Sequence, residues 1–238
     1  MKKKKRWFWI AILSVVVIVG GVYLHRTYFG GRNAKVMAWL KNPQNYPEWK
    51  VKGNQRCQGS VFLIPSDGFI GYLWDDSFKL FHRHQGIDIF GGEQAGETPV
   101  YAAYDGYLTR LETWKSSLII RVPKDPLDPE RQIWLYMTHL AKADGSSLIE
   151  NKFSPGTVEM PVKAGELLGY QGDYSGNPAN PVGVHLHFSI VQDDGTGKFK
   201  NELEISNTVD PSPYFNLELN AKTNPGSIPI CTGSEQGE

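Results

Sequence analysis

The tripeptide His185-Leu186-His187 places two imidazoles two residues apart inside an apolar run, Val182 to Val191. Such a run reads as a β-strand. Strand side chains alternate between faces, so both imidazoles project from one face while Leu186, Phe188 and Ile190 fill the other. Neutral imidazole is the commonest metal-ligating side chain. A core strand that carries two of them therefore points to metal coordination, although alternation alone leaves open which one ligates.

A second cluster is His84-Gln85-Gly86-Ile87-Asp88. On a flat strand His84 and Asp88 would lie about 13 Å apart, too far to share an ion. Gly86 permits a sharp bend between them, with Ile87 and Ile89 anchoring the segment in the core. A third group is His139, which follows Ile133-Trp134-Leu135-Tyr136-Met137-Thr138. Three separated segments of one small domain thus carry His84, Asp88, His139, His185 and His187. Three protein ligands plus water is the layout of a catalytic zinc site, whereas a structural site closes with a fourth protein ligand. The absence of a cysteine cluster argues against iron–sulfur and zinc-knuckle sites, and EF-hand and P-loop patterns are missing.

The elements that must position these groups are short apolar runs broken by Gly, Pro, Asp and Asn. The pattern predicts strands at Val61–Ile64, Pro99–Ala103, Gly106–Trp114, Leu118–Val122, Gln132–Met137, Glu166–Gln171 and His185–Val191. This is the signature of an all-β, mostly antiparallel sheet or sandwich with a groove active site. Pro123–Arg131 and Asp144–Met160 read as surface insertions, the second long enough to line or shade the groove. Residues 25–56 read as a stalk or packing arm with a short amphipathic helix at Asn33–Lys41. The catalytic domain is expected over residues 57–231, and residues 232–238 as a flexible tail.

The chain has 238 residues, of which 40% are hydrophobic, which suits one globular domain and an appendage. Lys2, Lys3, Lys4, Lys5 and Arg6 supply five of the 25 basic residues, and no acid precedes residue 25. The remainder has 20 basic against 25 acidic residues, a net of −5, a poor footprint for nucleic acid. Trp7 to Leu24 is an uncharged run of 18 residues; a helix of that length spans about 27 Å. With the basic cluster held inside by the positive-inside rule, residues 1–24 are predicted to be a cytoplasmic tip and a single-pass membrane anchor, the rest lying outside the cytoplasm. The competing reading is a secretory signal cleaved near Gly21. In an extracytoplasmic setting Cys57 and Cys231, at the two ends of the domain, can form a disulfide.

Taken together, the ordered segments resemble the lysostaphin-type zinc metallopeptidases, also called LytM-like peptidoglycan endopeptidases. His84-Gln85-Gly86-Ile87-Asp88 is similar to the family's H-x-G-x-D. Pro99-Val100-Tyr101-Ala102 through Gly106 resembles P-V-x-A-x-x-x-G, His139-Leu140 the H-L after a strand, Val162 to Gly169 V-x-x-G-x-x-x-G, and His185-Leu186-His187-Phe188 H-L-H-F. Val209-Asp210-Pro211 through Tyr214 is similar to the segment that closes the domain. The resemblance covers about residues 60–215. It implies that His84, Asp88 and His187 hold one Zn2+, that His139 and His185 stand beside it as catalytic groups, and that the partner is peptidoglycan.

Two departures matter. The family commonly has Tyr two residues before its middle His; here that residue is Met137, with Tyr136 one step earlier, a shift that on a strand turns the phenol to the opposite face. Glu97 stands where a Gly often precedes the P-V segment. Gly172–Val184 and Ser66–Arg83 are the expected groove walls, with Trp74, Phe78 and Tyr174 as substrate contacts. The alternative function is that of family relatives without ligands, which act as non-catalytic activators of other wall hydrolases.

Overall fold

The computed structural model describes residues 7, 9, 12–22, 31–77, 82–231 and 233–236. Its largest element is a nine-stranded sheet in the order β1 (Lys50–Val51), β3 (Gly68–Tyr72), β4 (Ile87–Phe90), β11 (Leu186–Gln192), β8 (Ile133–Thr138), β7 (Leu118–Val122), β6 (Gly106–Thr109), β9 (Met160–Val162), with β12 (Thr208–Val209) also paired to β11. Two further pairs are β5 (Pro99–Tyr101) with β10 (Leu167–Tyr170), and β2 (Gln55–Cys57) with β13 (Ser234–Gln236). Every pair is antiparallel, in keeping with the all-β expectation.

One face of the large sheet packs the main core. Ile87, Ile89, Leu135, Met137, Leu186, Phe188 and Ile190 point that way and meet Phe62, Val100, Leu168 and Phe215, the last from helix α2 (Ser212–Phe215). At about 25 cal/mol per Å² of apolar surface removed from water, this face supplies most of the drive to fold. Antiparallel pairing fixes the register that lets the opposite face carry polar groups. His187 pairs with Asp88 on one side and with Thr138 on the other.

Several sequence expectations change. Val61–Ile64 is a buried irregular segment, not a strand; its amides donate to the carbonyls of Tyr214, Ala103 and Gln55. β3 is a strand that the sequence reading placed in a groove wall. The run expected over Gly106–Trp114 stops at Thr109, because Leu111 and Trp114 form a turn closed by Trp114 N–H to Leu111 C=O at 3.0 Å.

The expected helix is present as α1 (Gly31–Lys41). Its Val36 and Trp39 are buried against Phe69 and Phe90. Arg32 holds the start of the helix through Asp76 at 3.2 Å and the carbonyl of Asn224 at 2.8 Å. Cys57 and Cys231 are joined by a disulfide. The insertion 144–160 sends Ile149 and Phe153 into the core.

Among the described residues no helix is long and apolar enough to cross a membrane. Residues 12–22 are helical, with Leu13, Val15, Val16, Val17, Ile18 and Val19 exposed. Residues 1–6 and residues 8, 10, 11, 23 and 24 of the anchor expectation lie outside the described residues, as do residues 78–81, which include Phe78.

Candidate metal centre

Three elements bring the ligand candidates together. Asp88 lies on β4 and His187 beside it on β11, so the strand pairing sets the distance between them. His84 reaches the same point from the segment that enters β4. Gly86 makes this possible through close approach: a β-carbon there would lie 2.1 Å from the carbonyl oxygen of Phe188. The glycine is therefore needed for contact with β11.

His84 Nε2, Asp88 Oδ1 and His187 Nδ1 form a triangle with edges of 3.1, 2.8 and 3.0 Å. Tetrahedral ligands at zinc distances are separated by about 3.3–3.4 Å. The triangle is thus closed enough to grip one small divalent ion. All three residues are buried. The Nδ1–H of His84 donates to the carbonyl of Leu73 at 2.9 Å, which commits that nitrogen and turns Nε2 into the triangle. Three ligand atoms converging on one point could hold a cation, and a His, His, Asp set suits zinc.

The three groups are electrostatically coupled, and a proton on His84 competes with any ion for the same nitrogen. Burial opposes charging His84, but the adjacent Asp88 carboxylate outweighs it and raises the imidazole pKa. Burial would raise Asp88, yet the positive histidine environment, His84 first, holds it well below the usual carboxylate range. Burial pushes His187 down. It pushes His185 down to about 4, against the pull of Asp88.

The two remaining histidines stand next to the triangle. His185 Nδ1–H donates to Gly183 C=O at 2.6 Å, and its Nε2 lies 3.7 Å from Asp88 Oδ1. His139 Nδ1–H donates to Tyr174 C=O at 2.7 Å. Each bond commits one ring nitrogen and leaves the other as an acceptor. The two ring centroids are 4.4 Å apart. All five residues singled out in the sequence line one cleft of about 600 Å³.

The cleft walls are only partly the expected ones. Tyr174, Ser175, Val182 and Gly183 form one side, and Tyr72 and His82 contribute to another. Trp74 is not among the lining residues; its indole N–H donates to Thr208 Oγ1 at 2.9 Å. No residue of 144–160 lines the cleft. Val36, Met37 and Leu40 of α1 do, as do Glu202 and Leu203.

Tyr136 corrects the sequence reading. It shares the face of His187, with ring centroids 6.5 Å apart, and lines the cleft. β8 ends at Thr138, and His139 has a left-handed backbone, φ 71°. Alternation counted back from His139 therefore says nothing about Tyr136. Within β8 the pattern was readable: Ile133, Leu135 and Met137 turn to the core, and Tyr136 and Thr138 to the cleft. The Ser117 hydroxyl joins both, at 3.1 Å from Tyr136 Oη and 2.7 Å from Thr138 Oγ1. Tyr72 also went unseen; it meets His84 edge-on at 6.2 Å and donates to Asn33 Oδ1 at 2.7 Å.

No family model and no curated protein matches the chain. Solved structures do. The chain is similar to a Ruminococcus gnavus protein given as a candidate glycyl-glycine endopeptidase, lytM, at 26% identity over 54% of this chain and 44% of that one, TM-score 0.35. It is similar to Helicobacter pylori Csd3 at 19% identity over 78% and 37%, TM-score 0.39. It is similar to lysostaphin at 19% identity over 70% and 55%, TM-score 0.41. The chain spans about half or less of the length of these proteins.

Proposed function

We propose that this chain is a zinc endopeptidase that hydrolyses peptide bonds of peptidoglycan. The observation that carries this reading is the 2.8–3.1 Å triangle of His84 Nε2, Asp88 Oδ1 and His187 Nδ1, with two further imidazoles beside it in one cleft. The five ordered sequence motifs support the same family and, through it, the cell-wall substrate.

His84, Asp88 and His187 would hold the ion. When bound, zinc would polarise a scissile carbonyl and bring the pKa of a water toward 7. The protein residues then have distinct tasks. His185 and His139, each with Nδ1 held by a backbone carbonyl, offer Nε2 as a proton acceptor. One takes the proton of the attacking water on Nε2 and passes that same proton to the leaving amine, while the other accepts a hydrogen bond from the substrate side of the cleft. Tyr136, fixed by Ser117, offers a phenolic O–H toward the substrate side of the cleft. Some relatives that act as non-catalytic activators have lost ligands, and the presence of His84, Asp88 and His187 together supports the catalytic reading over that alternative.

The extracytoplasmic, membrane-anchored placement belongs to the same proposal. Its support is the basic cluster Lys2 to Arg6 ahead of an uncharged run, and the exposed apolar side chains of residues 12–22. Protease added outside intact cells should remove the domain and spare the N-terminal tip.

The deciding experiment incubates the full chain with purified sacculi, with zinc or with chelator, and identifies released fragments by mass spectrometry. Zinc-dependent peptide fragments with new amino termini are expected. Uncut sacculi with zinc-loaded protein would overturn the reading, and lactyl-amide cleavage products would make the chain an amidase.

A further inference from the structure

The catalytic machinery expected from sequence lies entirely beyond residue 57, yet α1 touches the cleft at three places. Asn33 Oδ1 accepts the hydrogen bond of Tyr72, the ring that lies edge-on to His84. Trp39 and Val36 pack on Phe90, and Phe90 stacks on the His185 ring at 5.0 Å with 25° between planes. Leu40 lies beside Gly183: a β-carbon on Gly183 would be 3.3 Å from Leu40 Cδ1, 3.4 Å from Leu40 Cδ2 and 3.9 Å from Phe90 Cε1. Gly183 is the residue whose carbonyl holds His185 Nδ1–H.

These contacts converge on one imidazole. His185 has a stacked ring on one side and a backbone carbonyl at its Nδ1, and both supports lean on α1. A ring torsion and a tautomer are set by such partners, and a misplacement of about 1 Å can cost about 10²-fold in rate. We propose that Leu40 of α1 is a positioning residue for His185, acting through Gly183 and reinforced by Phe90, so that the N-terminal helix is a working part of the cleft. The kinetic half of this proposal rests on the endopeptidase reading; the structural half does not.

α1 is not free to drift, which makes the role specific. Arg32 ties it to Asp76 and to the carbonyl of Asn224, and Lys35 donates to the carbonyl of Gly226. Trp39 is fully buried. Leu40, by contrast, is 40% exposed, so trimming it leaves the helix seated by its buried residues.

The test uses the full chain with isotope-labelled histidine. The His185 Nδ1–H resonance, zinc content, kcat and KM are measured for wild type, Leu40→Ala, Leu40→Met, Gly183→Ala and the double variant Leu40→Ala with Gly183→Ala. Leu40→Ala should lose the protected Nδ1–H signal and at least fivefold in kcat, with zinc content and KM near wild type. Leu40→Met should restore both. Gly183→Ala should disturb His185 from the opposite side, by crowding, and the double variant should recover part of the loss because the new methyl occupies the vacated space. The proposal is overturned if Leu40→Ala keeps the signal sharp and kcat within twofold, whatever Gly183→Ala does. If wild type binds no zinc and cuts nothing, the endopeptidase reading falls, while the Nδ1–H resonance in the same samples still decides the positioning claim.

Discussion

The two faces of β8 and β11 obey opposite rules although they share every backbone hydrogen bond. One face holds Leu135, Met137, Leu186, Phe188 and Ile190 in the core. The other holds Tyr136, Thr138, His187 and, through β4, Asp88. The first face tolerates any well-fitting apolar side chain, because its free energy is burial and packing. The second depends on single atoms separated by about 3 Å. Alternation lets both exist in one strand, so substitutions one residue apart should fail in different ways.

The largest expected effect lies on the polar face. His187→Ala should lose zinc and all measurable cleavage, and added zinc should no longer raise its Tm, since ligand-linked stabilisation needs the site. Metal analysis and thermal melts read this directly. His185→Ala and His139→Ala should keep zinc and lose about 10²–10⁴-fold in kcat. Normal cleavage by the His185 variant would remove its assigned role.

Next comes the apolar face. Phe188→Ala, one residue from His187 and fully buried, should cost about 3–5 kcal/mol of stability, read from the denaturant midpoint. Zinc stoichiometry in its folded fraction should be unchanged. Tyr136→Phe should leave stability within about 1 kcal/mol and change kcat more than KM; an unchanged kcat would confine Tyr136 to packing. At the far sheet edge the exposed Lys163–Asp105 pair, 2.8 Å apart, is the smallest case. Lys163→Ala should change neither melting nor cleavage, as exposed pairs contribute little.

What was legible in the sequence follows the same division. The alternation of His185, Leu186 and His187 could be read because strand period and residue chemistry coincide there. The approach of His84 to Asp88 was foreseen, but not its cause, because nothing in the sequence shows that Gly86 must clear the Phe188 carbonyl. β3 was hidden because Gly68-Phe69-Ile70-Gly71-Tyr72 is buried along most of its length and shows no alternation. Val61–Ile64 misled for the converse reason: it is apolar enough for a strand, but its amides bond to three different segments. α1 was visible as a helix, while its seat on Phe69 and Phe90 depends on tertiary contacts that leave no periodic trace.

That seat shortens the leash. With residues 31–41 packed on the sheet, only residues 25–30 remain between Leu24 and the folded body. Six extended residues reach at most about 22 Å. Under the proposed reading, in which residues 7–24 fasten a hydrolase to a bilayer, it would graze only the wall strands nearest the lipid surface, and lengthening this short span should widen the zone it can trim.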